Sequence, residues 1–227
     1  MTGDYVLNHD PDLCQRAKTM HEGAEIIFSQ VGQIILAMTA HILLFIATMA
    51  YRKHRIALHP NLMLIVGNII FLYALHSIYI VIFHGRYQLL LYFSSNPCDF
   101  LTPVWLNIAL RFPRPLYIAA FTMSHLALTM ERARATFMPT RYEKEGIRCP
   151  LFCLVVLWII AIFVSSTIVA LASLDQEFWQ PSIHVNLTTN SNAYFLIYLH
   201  LVWLAVVIFI AIVDYILLVT NRKNRRR

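Results

Sequence analysis

Charge is scarce in this chain. Only 13% of its 227 residues are Asp, Glu, Lys or Arg, while 59% are apolar, which is about half the charged share of a soluble globular protein. A water-borne fold of this size needs more ionised groups to cover its surface, so ordinary cytosolic, disordered and fibrous classes are excluded. Glycine is sparse too, at 6 residues, and no glycine-rich loop is present to cradle a phosphate. The 4 cysteines form no CxxC pair and no Cys/His spacing for zinc. There is no Ser/His/Asp set for nucleophilic chemistry. Residues 1–25 lack the apolar run of a cleavable signal peptide, being polar and acidic (Asp4, Asp10, Asp12, Glu22, Glu25). Internal repeats are absent, and the basic end is the only biased stretch.

What is present is a series of long uncharged windows. The mean hydropathy is +0.61, and a helix needs about 20 apolar residues to cross a bilayer. No charge falls between Glu25 and Arg52 or between Arg55 and Arg86, which predicts spans near 26–50 and 61–83. A third span over 105–130 must include Arg111 and Arg114, because the uncharged stretch after them is short. A fourth lies near 150–172 and a fifth near 193–220, with Asp214 close to its end. The expected architecture is an all-α integral membrane protein of five transmembrane helices, with an external segment 1–25, a bundle over 26–220 and a basic tail over 221–227.

Orientation follows from the basic residues, which cytoplasmic loops retain. Arg52, Lys53 and Arg55 follow the first span. Arg132, Arg134, Arg141, Lys144 and Arg148 follow the third, and Arg222, Lys223, Arg225, Arg226 and Arg227 follow the fifth. Thirteen of the 18 basic residues thus share one side. The N-terminus is expected outside and the C-terminus in the cytosol. The net charge of +6 reflects this asymmetry rather than nucleic-acid binding, and the tail suits anionic lipids of the inner leaflet. Asn186-Leu187-Thr188 is a glycosylation sequon on the side expected to be external.

Cys14 and Cys98 also fall outside, where a pair can oxidise; two unpaired thiols are the alternative. Cys149 and Cys153 share one helical face at the inner border, either as packing thiols or as palmitoylation sites. His41 and His125 fall in the inner halves of the spans, and His76 and His200 in the outer halves. Two such tiers could ligate b-type haems, giving a redox protein as a rival reading. Polar residues bonded across the bundle explain the same four positions, and no cofactor or metal is expected.

The third span ends in Ser124-His125-Leu126-Ala127-Leu128-Thr129-Met130-Glu131-Arg132-Ala133-Arg134-Ala135-Thr136, and Tyr142-Glu143 follows ten residues after Arg132. The second span opens with His59-Pro60-Asn61. An acid–Arg pair at the inner mouth of a third span resembles the switch of G-protein-coupled receptors. With the H-x-N entry and the E-R-x-x-A…Y-E block, the chain resembles the nematode serpentine chemoreceptors of the alpha, beta and alpha/beta group, the alpha/beta class above all. The missing helix-two Asp, helix-five Pro and second-outer-loop Cys set it apart from rhodopsin-like receptors.

The resemblance implies a multi-pass receptor of the plasma membrane that senses an external small molecule and is not an enzyme. It implies a heterotrimeric G protein as partner and Glu131, Arg132, Tyr142 and Glu143 as the coupling switch, with Glu131 holding Arg132 at rest. Such receptors have seven helices, so five suggest a fragment, a short isoform or a decayed product. A non-signalling partner that oligomerises with full-length receptors is a third reading. Candidate pocket residues are Arg111, Tyr117, His76 and His200. Arg111 could meet an anionic or carbonyl-bearing ligand, or could reach the outer headgroups together with Arg114. Trp105, Tyr117, Trp179, Tyr194 and Trp203 lie toward the outer side, mostly as an interfacial belt.

This topology makes a direct prediction. Endoglycosidase should shift the protein on a gel through a glycan on Asn186, and a tag placed after Arg227 should stain permeabilised cells only. Staining of intact cells would reverse the orientation.

Overall fold

The structure is a computed structural model that describes residues 11–54, 59–144, 146–181 and 188–225. Among the described residues eight helices run in chain order: α1 (Pro11–Glu22), α2 (Ala24–His54), α3 (Pro60–Phe93), α4 (Val104–Arg111), α5 (Pro113–Phe137), α6 (Pro139–Tyr142), α7 (Arg148–Ala172) and α8 (Ala193–Arg225). Short 3-10 turns at Pro97–Phe100 and Gln176–Trp179 sit in the connections.

Four helices, α2, α3, α7 and α8, are long and apolar enough to cross a membrane. The third expected span, over 105–130, differs from its sequence reading. It is broken at Phe112 into α4 and α5, because Pro113 and Pro115 follow directly and proline cannot continue a preceding helix. α5 then runs seven residues past the expected end and carries Arg114, Glu131, Arg132 and Arg134, a composition unlike the other four. Despite those charges it is the central helix, packing on α3, α7 and α8.

Other boundaries move for identifiable reasons. α3 begins where expected because Pro60 occupies the first turn, where its missing N–H costs nothing. His59 caps it by accepting the Asn61 N–H on its ring Nδ1 at 3.4 Å. The helix continues beyond the expected end at residue 83, through Arg86, because that charge is accommodated: its guanidinium lies 5.0 Å from the Tyr87 ring centroid and donates to Thr102 Oγ1.

Side-chain contacts fix the directions of the helices. Tyr51 meets Met63 at one end of the α2–α3 pair and Gln88 donates to Gln30 at 2.7 Å at the other, so the two are antiparallel. Asn68 reaches Ser124 while His76 stacks on Tyr117, making α3 and α5 antiparallel. Thr129 meets Asp214 and Asn221 meets Thr136, so α5 and α8 run parallel. The basic ends of these helices therefore gather at one pole of the bundle.

Close packing at the centre depends on small side chains. Ala119 and Ala120 of α5 and Ala161 and Ser165 of α7 are fully buried, which lets the two backbones approach as membrane helices do. Leu72, Leu154 and Leu157 complete this core. The outward faces are apolar: Phe28, Phe152 and Phe163 are largely exposed, the pattern of a surface meant for lipid.

The N-terminal segment, read from sequence only as external and polar, folds into α1 and caps one pole. Cys14 and Cys98 are joined by a disulfide. Ala17, Phe100 and Leu101 are buried beside it, and His21, wholly buried, stacks on Tyr87 with ring centroids 4.1 Å apart. At the same pole Ser191 closes the last connection onto Asp175. Hydrogen bonds from the Ser191 hydroxyl, from Thr189 and from the Ser191 backbone hold the Asp175 carboxyl below its ordinary value.

Because the disulfide spans 84 residues of sequence, its loss frees a long loop. A bridge of that span stabilises by up to about 4–5 kcal/mol in the loop-entropy account. Cys14→Ser should lower the thermal midpoint by several degrees and expose α1 to protease, with Cys98→Ser and the double variant giving the same change. An additive double variant would show that the cysteines act separately.

Candidate functional site

The pole where the basic helix ends gather holds the residues of the acid–Arg block. Glu131 is buried at 4% exposure, near the C-terminal end of α5. Its ion-pair partner is Arg134, one turn on, at 3.9 Å. Arg134 also donates to Cys149 at the start of α7, at 3.6 Å. Arg132 faces the other way and pairs with Asp214 of α8 at 3.8 Å. Thr129 adds a hydrogen bond to the same Asp214 oxygen at 3.2 Å. The sequence expectation that Glu131 holds Arg132 is thus replaced by two separate pairs. Successive residues on a helix point about 100° apart, so neighbours in sequence do not face each other.

The second half of the block returns to α3. Tyr142 at the end of α6 packs on His59 with ring centroids 4.3 Å apart. Asn61 is wholly buried beneath that entrance, and neither of its amide atoms has a hydrogen-bond partner among the described residues. Glu143 is exposed, with its backbone N–H bonded to Pro139. The inner connection after α5 is therefore fastened to the start of α3 by an aromatic contact.

The half of the bundle away from the acid–Arg block carries the candidate pocket residues. Fourteen or fifteen residues separate His76 from Asn61, Tyr117 from Arg132 and His200 from Asp214, roughly 21–23 Å along each helix. The three therefore share a tier. His76 and Tyr117 stack face to face, 3.8 Å apart and 10° from parallel. Both line a cavity of about 660 Å³ between α2, α3 and α5 that also takes in Gln30, Tyr79 and Glu25. His200 lines a second cavity of about 620 Å³ on the opposite side of α5, with Ile118, Leu196 and Trp203. Arg114 borders both.

Arg111, the expected charged contact, has its side chain outside the described residues, as does Asn186. His41 lies in a groove between α2 and α3 near Ser77 and Ile82, and His125 packs on Phe121. The four intramembrane histidines thus sit in separate surroundings, which gives the haem reading no support.

With that geometry in place, the chain was compared with known proteins. Residues 12–227 match the family described as serpentine type 7TM GPCR receptor class ab chemoreceptor. The chain belongs to that family. No match is found among curated proteins or solved structures. As a class ab chemoreceptor it is a multi-pass plasma-membrane protein of the GPCR class, and membrane lipid and G-protein coupling come with the family.

Within this class ab receptor, one junction escaped the sequence reading. Asn68 on α3 donates to Ser124 Oγ on α5 at 2.8 Å and accepts from Trp158 Nε1 on α7 at 3.0 Å. Ser124 passes the bond to Ala120 O at 2.6 Å. Three helices are thus joined at mid-depth by one side-chain amide. The signal in the sequence was an Asn and a Trp inside otherwise apolar spans, where polar atoms need partners.

Asn68→Ala leaves the indole N–H without its acceptor and Ser124 without its donor. It should cost roughly 1–2 kcal/mol, read as reduced thermal stability of the detergent-solubilised receptor. Asn68→Gln should not restore it, since the amide would be displaced by a methylene. Wild-type stability in Asn68→Ala would remove the junction from the account.

Proposed function

We propose that this receptor binds an external small molecule among the outer halves of its helices and relays occupancy to a G protein through Arg132. The reading places the N-terminus outside and the basic C-terminal tail in the cytosol, as the distribution of Lys and Arg favours. His76, Tyr117 and His200 then lie within reach of a ligand entering from outside, and Arg132 lies at the cytosolic mouth with Tyr142 and Glu143.

One observation carries the reading: the ion pair of Arg132 with Asp214 across α5 and α8. Both side chains are partly exposed, at 54% and 37%, and such pairs are worth only about 0–1 kcal/mol. That is strong enough to bias an arrangement and weak enough to exchange for a partner. A G-protein segment offering carboxylates or backbone carbonyls to the guanidinium would displace Asp214 and favour separated helices. Glu131 and Arg134 then stiffen the end of α5 from its other face, and the Tyr142–His59 contact positions the following connection. Coupling thus uses Glu131, Arg132 and Tyr142 of the block in different roles.

In a reconstituted or cell-based G-protein assay, Arg132→Ala should abolish ligand-dependent signal while preserving surface expression. Asp214→Asn should raise ligand-independent signal by up to about fivefold, the population change that about 1 kcal/mol allows. Signalling retained in Arg132→Ala at normal surface level would remove Arg132 from its role.

A further inference from the structure

Arg114 opens onto cavities on both sides of the central helix, and among the described residues it makes no ion pair or hydrogen bond. Eighteen residues separate it from Arg132, about 27 Å along the helix. The hydrocarbon layer is about 30 Å thick, so Arg114 stands at its outer boundary when Arg132 stands at the inner one. It is reachable from water yet bordered by apolar walls. Its side chain is exposed, so the guanidinium is open to an anion that arrives from outside. The low-dielectric surroundings strengthen its attraction for an anion, and its planar fork matches a carboxylate through two parallel hydrogen bonds.

The two cavities are not equivalent for an anion. Glu25 and the amides of Gln30 and Gln33 line the His76 side, so a carboxylate there would face another carboxylate. On the α8 side no acidic residue lines the cavity among the described residues. Its walls are Ile118, Ile168, Leu196 and Trp203, with His200 as a further polar group.

We propose that Arg114 anchors the head group of an apolar carboxylate, whose body lies in the α5–α8 cavity against Leu196 and Trp203. The inference rests on the reading of the outer halves as the ligand site, and it gives the charge recognition expected of Arg111 to Arg114 instead. A lipid phosphate could meet the same guanidinium, and the test separates the two sources.

The full chain is placed in phosphatidylcholine nanodiscs, and its tryptophan fluorescence is titrated with octanoate or with 1-octanol at neutral pH. Empty nanodiscs correct for partitioning. Octanoate should bind at least about tenfold more tightly than octanol, as a charge-assisted bidentate pair predicts. Arg114→Gln should bring the two within about twofold of each other with octanol affinity unchanged, and Arg114→Lys should give an intermediate ratio. The Lys variant keeps the charge, so it serves even if the Gln variant does not fold.

Equal binding of the two compounds by the wild type, the result expected if lipid phosphate occupies Arg114, overturns the carboxylate assignment and leaves the cavity as a ligand site. Selectivity that survives Arg114→Gln does the same. Absence of saturable binding by either compound overturns the assignment and the outer-site reading together.

Discussion

α5 must keep charged and hydroxyl side chains inside a bundle whose other long helices are almost wholly apolar. It carries Arg114, Thr122, Ser124, Thr129, Glu131, Arg132 and Arg134, and it meets that demand by sitting at the centre rather than facing lipid. A polar atom left in hydrocarbon costs several kcal/mol, so four of these positions draw a neighbour toward them. Ser124 takes Asn68 of α3, Thr129 and Arg132 take Asp214 of α8, and Arg134 takes Cys149 of α7. Once those partners are fixed, the directions of α3, α7 and α8 around α5 are fixed too. Ala119 and Ala120 add the close approach that lets short hydrogen bonds form between helices.

Much of this was legible in the sequence because charge-free windows and loop charges are local signals. α2, α3, α7 and α8 appear where uncharged runs predicted helices, and His59-Pro60-Asn61 marks the start of α3 because proline at a helix entrance and a ring-nitrogen cap are short-range chemistry. The third span was harder. Pro113 and Pro115 were visible, but the spacing argument required one continuous helix, and backbone geometry prevailed over the average window. Pairings were the least legible. Glu131 next to Arg132 reads as an ion pair in one dimension, whereas the helix turns them to opposite neighbours. Arg132 finds Asp214, eighty-two positions away, and only the parallel packing of α5 and α8 brings them together.

The pole capped by α1 shows how a segment with little hydrophobicity can still be ordered. α1 is too polar to bury itself, yet the Cys14–Cys98 disulfide and the His21–Tyr87–Phe100 stack hold it on the 3-10 turn and on α3. Here a covalent bond and a few rings replace the apolar face that a longer helix would use. Arg86 and Thr102 extend the same cluster through Tyr87. The cap therefore shields that end of α3, and Met20 of α1 also lines the cavity between α2, α3 and α5.

The two candidate sites share one pair of helices. At one end Arg114 of α5 and His200 of α8 border a common cavity. At the other end Arg132 of α5 and Asp214 of α8 form the ion pair. Between them the helices run parallel, with a rise of about 27 Å on α5 and about 21 Å on α8. A body inserted between their outer ends would change their spacing or tilt, and rigid helices carry such a change along their length. The inner contact is the one least able to resist, because an exposed pair worth at most about 1 kcal/mol yields before a packed core does. The Asn68–Ser124–Trp158 junction lies between the poles and fastens α5 to α3 and α7 instead. α8 meets α5 outside that junction, through Asp214 and through Asn221 with Thr136, so the polar bonding around α5 is divided between two separate sets.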